Sequence, residues 1–297
     1  MTPDTAPPFP REAPVISLPE ANYDIVGSIV IHECAQSELE LSIQQFLEAS
    51  TRYRLNTHLC IIDNSSRPHN FSQQSDPRIS YFFAAGNLGY GRAHNIAIRA
   101  AHSRSKYSLI MNTDILYSPD VIERLKAILD SQPKAALVAP KIRYPDGALQ
   151  YVCRLLPTPT NVFLRRFLPT STWTTRADHR YELRWWDHNN VANIPFLQGS
   201  FLLLRTDICN AIGGFDERFF LYAEDIDLCR RLHQIAETLY VPDVSITHEY
   251  RRHNKHTLLG TWHAIYSHFQ YFNKWGWFND CSRRLINQDT ERRLQCR

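Results

Sequence analysis

LIMNTDI, residues 109–115, carries an apolar strand straight into a polar tripeptide, Asn112-Thr113-Asp114, and the same transition recurs along the first half of the chain. IVGSIVI (25–31) runs into His32-Glu33, LCII (59–62) into Asp63-Asn64-Ser65, and ISYFF (79–83) into the glycine cluster GNLGYG (86–91). Short apolar runs of this kind suit strands buried on both faces. Helical spacing fills the gaps. Leu39, Ile43, Phe46 and Leu47 follow a capping-box pair, Ser37 and Glu40; Ala93, Ile96, Ala97 and Ala100 form a second stripe; Val121, Leu125 and Ile128 follow Pro119. Alternating strands and helices predict βαβ units and a mainly parallel sheet, in which ligands bind at the carboxyl ends of the strands. The polar residues lie at those ends.

Further along, the alternation lapses from about 141 to 197, where Trp173, Trp185 and Trp186 accompany several arginines. This reads as an insertion that shapes an acceptor pocket. A strand at 201–204, a short helix ended by Gly213-Gly214, a helix over about 224–236, two strands at 238–241 and 244–247, and an aromatic helix over about 257–275 complete the series. The expected organisation is a Pro-rich flexible leader (1–22), an α/β domain (23–256) in two halves that divide at about residue 140, and an aromatic helix with a basic tail (257–297).

Composition narrows the function. With 43% hydrophobic residues, 33 basic against 30 acidic and a net charge of +3, the chain has material for a core and no charge excess that predicts nucleic-acid binding. Seven cysteines without a C-x-x-C pair point to a reducing cytoplasm rather than a disulfide framework. The N-terminal residues lack a secretory pattern and no apolar run reaches about 18 residues, so membrane contact is expected to be peripheral, at the cytoplasmic face of the inner membrane.

Four segments carry chemistry. Asp114 at a strand end suits a hard divalent cation that holds a diphosphate, or alternatively a turn or helix cap. In FFLYAEDIDLCRR (219–231), Glu224, Asp225 and Asp227 crowd a helix start; they either complement the helix dipole or raise one another's pKa into the range of a general base. ITHEYRRHNKHT (246–257) offers His248 as a Mn²⁺ or Mg²⁺ ligand and Arg251, Arg252 and Lys255 as phosphate partners. Zinc held by His248, His253 and His256 is a weaker alternative, because no cysteine stands at ligand spacing. GNLGYG reads G-x-x-G-x-G after the third strand, not G-x-G-x-x-G after the first, which disfavours an NAD-dependent oxidoreductase.

Taken in order, IDNSS, NLGYGRAHN, NTD, QGSFLLLR, GGFDERFFLYAEDIDLCRR and the later histidine resemble the family 2 glycosyltransferases, especially their bacterial rhamnosyltransferase-like branch, over about residues 23–276. The resemblance implies a GT-A α/β fold and an inverting transfer from a nucleotide-diphosphate sugar, with dTDP-rhamnose as the family-weighted donor. A hydroxyl of a glycan or lipid-linked saccharide would be the acceptor. By position, Glu33, Asp63 and Asn64 would contact the base and ribose, Asn87 and Gly89 the adjoining loop, and Asn95 would brace that loop. Asn112-Thr113-Asp114 stands in the place of the D-x-D motif, with Asp114 and His248 as metal ligands. Asp225 would be the base, Glu224 its assistant, and Gly199 and Ser200 would line the donor sugar and acceptor. Arg251 would stabilise the leaving phosphate. The substitution of Asn112 for the first Asp leaves open a catalytically silent sugar-nucleotide-binding protein. The aromatic helix is expected to pack on the core or on a second copy in a homodimer, with a membrane surface as the other reading.

Overall fold

The computed structural model describes residues 16–162, 172–249 and 258–296. Arg251, Arg252, His253, His256 and most of the leader lie outside them. Strands β1 (Tyr23–Ile31), β2 (Thr57–Asp63), β3 (Ile79–Phe83) and β4 (Ser105–Met111) run parallel in the order β3-β2-β1-β4. Helix α1 (Gln36–Arg52) links β1 to β2, and α2 (Tyr90–Ala101) links β3 to β4. Beyond β4 the sheet continues through β10 (Phe201–Arg205), β6 (Ala135–Arg143), β11 (Glu237–His248) and β5 (Ile115–Leu116). Here β10 is antiparallel to both neighbours, and β5 to β11, so the sheet is mixed. Short β8 (Ala192–Asn193) pairs with β11, and β7 (Cys153–Arg154) with β9 (Phe196–Leu197). Helices α3 (Asp120–Ser131), α4 (Thr172–Tyr181), α5 (Thr206–Ala211), α6 (Glu224–His233), α7 (Leu258–Trp275) and α8 (Cys281–Gln295) complete the described chain.

The apolar stripes do what their spacing requires. Leu39, Ile43, Phe46 and Leu47 bury the inner face of α1 in the larger core, while Ala93, Ile96 and Ala97 of α2 meet Val26, Cys60 and Ile62 on the other side of the sheet. Several expectations need correction. The helix begins at Gln36 after Ala35 with no side-chain cap, because Glu40 turns instead to Ser72, accepting from its N–H at 2.9 Å and its hydroxyl at 2.6 Å. Strand β6 was not expected, since Ala-rich sequence and Pro140 argue against a central strand. It is accommodated because β11 slips in register between Val241 and Ser245, next to the Pro140–Val241 pair. The same irregularity joins the two expected strands at 238–247 into one.

The C-terminal segment is not a loose basic tail. Helix α8 is fixed to the body by Asn287, which accepts from the Leu156 N–H at 2.8 Å and donates to its carbonyl at 2.9 Å. Arg283 is buried and donates to the carbonyl of Trp277 at 3.0 Å, and Arg292 and Arg293 pair with Asp289. The aromatic helix divides into two faces: Tyr271 and Phe272 are fully buried, while Trp262, Tyr266 and Phe269 project outward. No helix among the described residues is long and apolar enough to cross a membrane.

Candidate active site

The ends of β1, β2 and β3 interlock into one wall. Glu33 sits in a left-handed conformation (φ 51°), and its Oε1 accepts from the Ser66 N–H at 2.9 Å and from the Ser66 hydroxyl at 2.7 Å, which hold its pKa below the ordinary value. Asn64 donates to the Gly89 carbonyl at 3.2 Å and to Asn87 Oδ1 at 3.4 Å; the same Asn87 oxygen accepts from the Gly89 N–H at 2.9 Å. Gly89 must be glycine: its φ is 86°, and a Cβ there would stand 2.4 Å from the Phe220 carbonyl. These contacts bring the four residues to the ends of the three strands.

Asp63 differs. Its Oδ1 accepts from the Ser65 N–H at 2.9 Å, and its Oδ2 takes the His69 N–H at 2.9 Å and the Tyr81 hydroxyl at 2.5 Å, with His69 Nδ1 at 3.0 Å. Burial alone would raise its pKa, but the hydrogen bonds from Tyr81, Ser65 and His69 outweigh it and lower the value. With its side chain wholly buried, Asp63 braces the loop instead of offering an oxygen to a base or ribose. Asn95 also braces a different partner from the one expected. It accepts from the Phe215 N–H and donates to the Phe215 carbonyl, both at 2.8 Å, tying α2 to the segment before α6 rather than to its own loop.

At the end of β4, Thr113 faces α1: its hydroxyl donates to Glu38, and its carbonyl accepts from Ser42 at 2.7 Å. Asp114 points the other way, with Oδ1 3.2 Å from Nε2 of His248. The His248 ring is set by Gln150, whose Oε1 lies 3.2 Å from Nδ1 and whose Nε2 donates to the His248 carbonyl at 2.8 Å. Since Oε1 only accepts, the Nδ1 of His248 carries a proton, and Nε2 is the ring nitrogen that faces Asp114. Two cis ligands about 2.1 Å from an octahedral cation stand roughly 3 Å apart, so this oxygen and nitrogen fit Mn²⁺ or Mg²⁺ in both chemistry and spacing. Among the described residues no group of three or more His, Cys, Asp or Glu side chains could hold a metal.

The acidic pair, Glu224 and Asp225, stands at the start of α6, and both carboxyls, like that of Asp114, bear on Tyr90. Tyr222 (φ 70°) and Ala223 (φ 66°) are consecutive left-handed residues that turn the chain into α6, a strained approach of the kind that persists at functional sites. Burial first, and then the Asp225 charge, push the Glu224 pKa well above its ordinary value; Glu224 Oε2 is buried without a partner among the described residues. Asp225 is raised by burial too, but its Oδ2 accepts the Gly199 N–H at 3.0 Å and its Oδ1 the Ile226 N–H at 2.9 Å, both favouring the charged form. Asp227, two residues on, faces the opposite side of the helix. It anchors α6 to α7, accepting from Trp275 Nε1 and Arg231 at 2.7 Å and from Lys274 at 2.6 Å. The three expected carboxylates thus divide into two that bear on Tyr90 and one in the scaffold.

Gly199 and Ser200 lie between the two clusters. The Asn112 N–H donates to the Ser200 carbonyl at 3.0 Å, and Ser200 Oγ, like Asn64 Oδ1, is buried without a partner among the described residues. Tyr90 and Gln150 were not anticipated as site residues. Gln150 reaches His248 across 98 positions, and no local pattern marks it.

The Glycosyl transferase family 2 pattern matches residues 29–212 of the 297. The chain is 30% identical over 190 residues to the N-acetylglucosaminyl-diphospho-decaprenol L-rhamnosyltransferase of Mycobacterium tuberculosis, covering 59% of this chain and 60% of that protein. It therefore spans about three fifths of the length of that relative. It is 26% identical over 200 residues to rhamnosyltransferase WbbL of Escherichia coli K12, covering 64% of this chain and 72% of the other. Among solved structures, GalNAc-T7 with UDP, GalNAc and Mn²⁺ superposes with a TM-score of 0.57 at 15% identity, over 77% of this chain and 44% of that one. The mannosyltransferase PcManGT from Pyrobaculum calidifontis with GDP-Man and Mn²⁺ gives 0.55 at 13% identity, over 89% and 68%. The shared architecture is the GT-A fold, as expected from the resemblance. With the family pattern matched over residues 29–212, this chain belongs to glycosyl transferase family 2.

Proposed function

We propose that the protein is an inverting glycosyltransferase that moves a sugar from a nucleotide-diphosphate donor to a hydroxyl of a glycan or lipid-linked saccharide, with a divalent cation. The observation that carries this reading is the convergence on Tyr90 of two acidic groups, Asp114 beside His248 and the pair Glu224 and Asp225. The carboxyl groups of Glu224, Asp225 and Asp114 all stand close enough to the Tyr90 hydroxyl to add to the effect of burial in raising its pKa. An inverting displacement needs a base and a leaving-group holder on opposite sides of the anomeric carbon.

Asp225 would take the acceptor proton, and Glu224, neutral because of its burial, would donate a hydrogen bond to the acceptor. Glu33, Asn64, Asn87 and Gly89 would form the wall against which the nucleoside rests, and Ser200 Oγ the partner for a sugar hydroxyl. Asp114 and His248 would hold the cation, whose positive charge would offset the negative charge that grows on the leaving diphosphate. The rhamnosyltransferase relatives favour L-rhamnose from dTDP-rhamnose. They also favour an acceptor on a lipid carrier, and with it a cytoplasmic protein whose outward aromatic face, Trp262, Tyr266 and Phe269, rests on the inner membrane. Flotation with anionic vesicles should be lost in Trp262→Ser/Tyr266→Ser; unchanged flotation would remove that contact.

A thermal-shift screen of sugar nucleotides with and without Mn²⁺ tests the reading. The true donor should raise the midpoint by mass action, more with Mn²⁺ than without. Equal transfer in excess chelator and in Mn²⁺ would overturn the metal, and stabilisation by NAD but by no sugar nucleotide would overturn the reaction class.

A further inference from the structure

We propose that Tyr90 and Asn112 are positioning residues, which hold the Gly199 backbone and through it the Asp225 carboxylate; the inference rests on Asp225 being the base. The Tyr90 hydroxyl lies 2.6 Å from the Gly199 carbonyl oxygen and 3.0 Å from Oδ1 of Asn112. A phenol has one proton and cannot donate to two acceptors. The Gly199 carbonyl only accepts, so the shorter contact takes the proton. A half-turn of the Asn112 amide, which exchanges nearly identical O and N positions, then lets its NH₂ donate to the phenol oxygen. The result is a directed chain: the Asn112 amide donates to Tyr90, and Tyr90 donates to the Gly199 carbonyl. On its other side, the Gly199 N–H donates to Asp225 Oδ2 at 3.0 Å.

Gly199 needs this support. A Cβ there would stand 3.0 Å from the Asp225 Cβ, a tight approach that favours glycine, the residue least able to hold its own backbone angles. Tyr90 fixes the carbonyl side and Asp225 the amide side. The phenol is itself immobile: its backbone N–H donates to the Phe220 carbonyl at 3.0 Å, and its ring packs against His94 with centroids 4.4 Å apart. The chain also explains Asn112. An aspartate there would have no proton to give the phenol and would add a fourth carboxylate to Asp114, Glu224 and Asp225, whereas the amide is close in shape and donates.

The test uses the full chain labelled with ¹⁵N-glycine, whose ten glycines give a simple spectrum. The groups that act on Asp225 are Glu224 and Cys229 of its own helix, Tyr90 of α2 and Arg154 of β7. The Gly199 amide proton should move with pH as the Glu224–Asp225 pair titrates, and that movement should vanish in Asp225→Asn. In Tyr90→Phe the midpoint should rise by about one pH unit, the size expected when a hydrogen bond to a charged group loosens. With dTDP-rhamnose as the probe donor, kcat should fall about tenfold or more while the donor KM stays within about twofold, the split expected for an interaction that matters only in the transition state. Asn112→Asp should move both readouts in the same direction. An unchanged Gly199 titration in Tyr90→Phe overturns the proposal whichever donor the enzyme uses. If Asp225→Asn keeps wild-type turnover, the assignment of the base fails instead, and the amide titration still reports whether Tyr90 holds the peptide.

Discussion

Asp225→Asn is the perturbation that bears most directly on the chemistry. The carboxylate accepts two backbone N–H groups, from Gly199 at 3.0 Å and Ile226 at 2.9 Å. An amide has one acceptor oxygen, so the variant keeps one of these bonds and loses the other, at a cost of about 1 kcal/mol in stability. The scaffold should survive, because the neighbouring Asp227 carries the contacts to α7. Loss of a general base costs about 10²–10⁴-fold in kcat, or about 3–5.5 kcal/mol of barrier. Steady-state release of nucleoside diphosphate in the presence of acceptor gives kcat, and calorimetry with nucleoside diphosphate and Mn²⁺ gives the ground-state affinity, which should stay within about twofold. In the wild type, burial raises the pKa of the Asp225 carboxyl. The base must be ionised to act, so activity should rise with pH through a midpoint above the ordinary carboxylate range of about 4. Retention of kcat within about threefold, or a parallel loss of nucleotide binding, would refute the reasoning.

Other variants separate the remaining roles. Glu224→Gln should lower kcat by about tenfold at most, the worth of one hydrogen bond. It should also stabilise the fold at neutral pH: a carboxyl whose folded pKa lies above the unfolded 4.5 contributes stability below 4.5 that is lost as pH rises towards the folded value, and Gln has nothing to lose. The gain, read from thermal melts, should grow with pH above 4.5; a pH-independent difference contradicts the assignment. Gln150→Leu should weaken Mn²⁺-dependent donor binding about 10–100-fold by freeing the His248 ring, and calorimetry showing wild-type Mn²⁺ dependence would count against that role. Asp280→Ala removes the bidentate partner of fully buried Arg230, both contacts at 2.7 Å, and should cost about 3–5 kcal/mol in urea unfolding. Burial opposes ionisation of Asp280, but Arg230 and the Arg283 N–H lower its pKa below 3.8, so the pair's contribution is present above 3.8 and is lost as pH falls through the depressed value. Ala223→Gly relieves a left-handed residue and should raise stability by up to about 1 kcal/mol; a lower urea midpoint would show that no strain is held there.

Much of this molecule is written in local pattern. Apolar runs and helical stripes repeat within a few residues, so the first four strands, their helices and the polar strand ends were legible, as were Asp114, Glu224 and Asp225 beside their elements. Helical geometry even separates Asp225 from Asp227, because residues two apart on a helix do not share a face. Strand β6 was hidden because Pro140 argues against it locally, and only pairing with an irregular β11 makes it tolerable. The same limit governed the site. Whether Asp63 faces a ligand or a loop depends on Tyr81 and His69, and which atom of His248 meets Asp114 depends on Gln150. Sequence periodicity carries the direction in which a side chain leaves its own strand or helix. Which donor meets it there is decided by elements brought together only when the sheet closes.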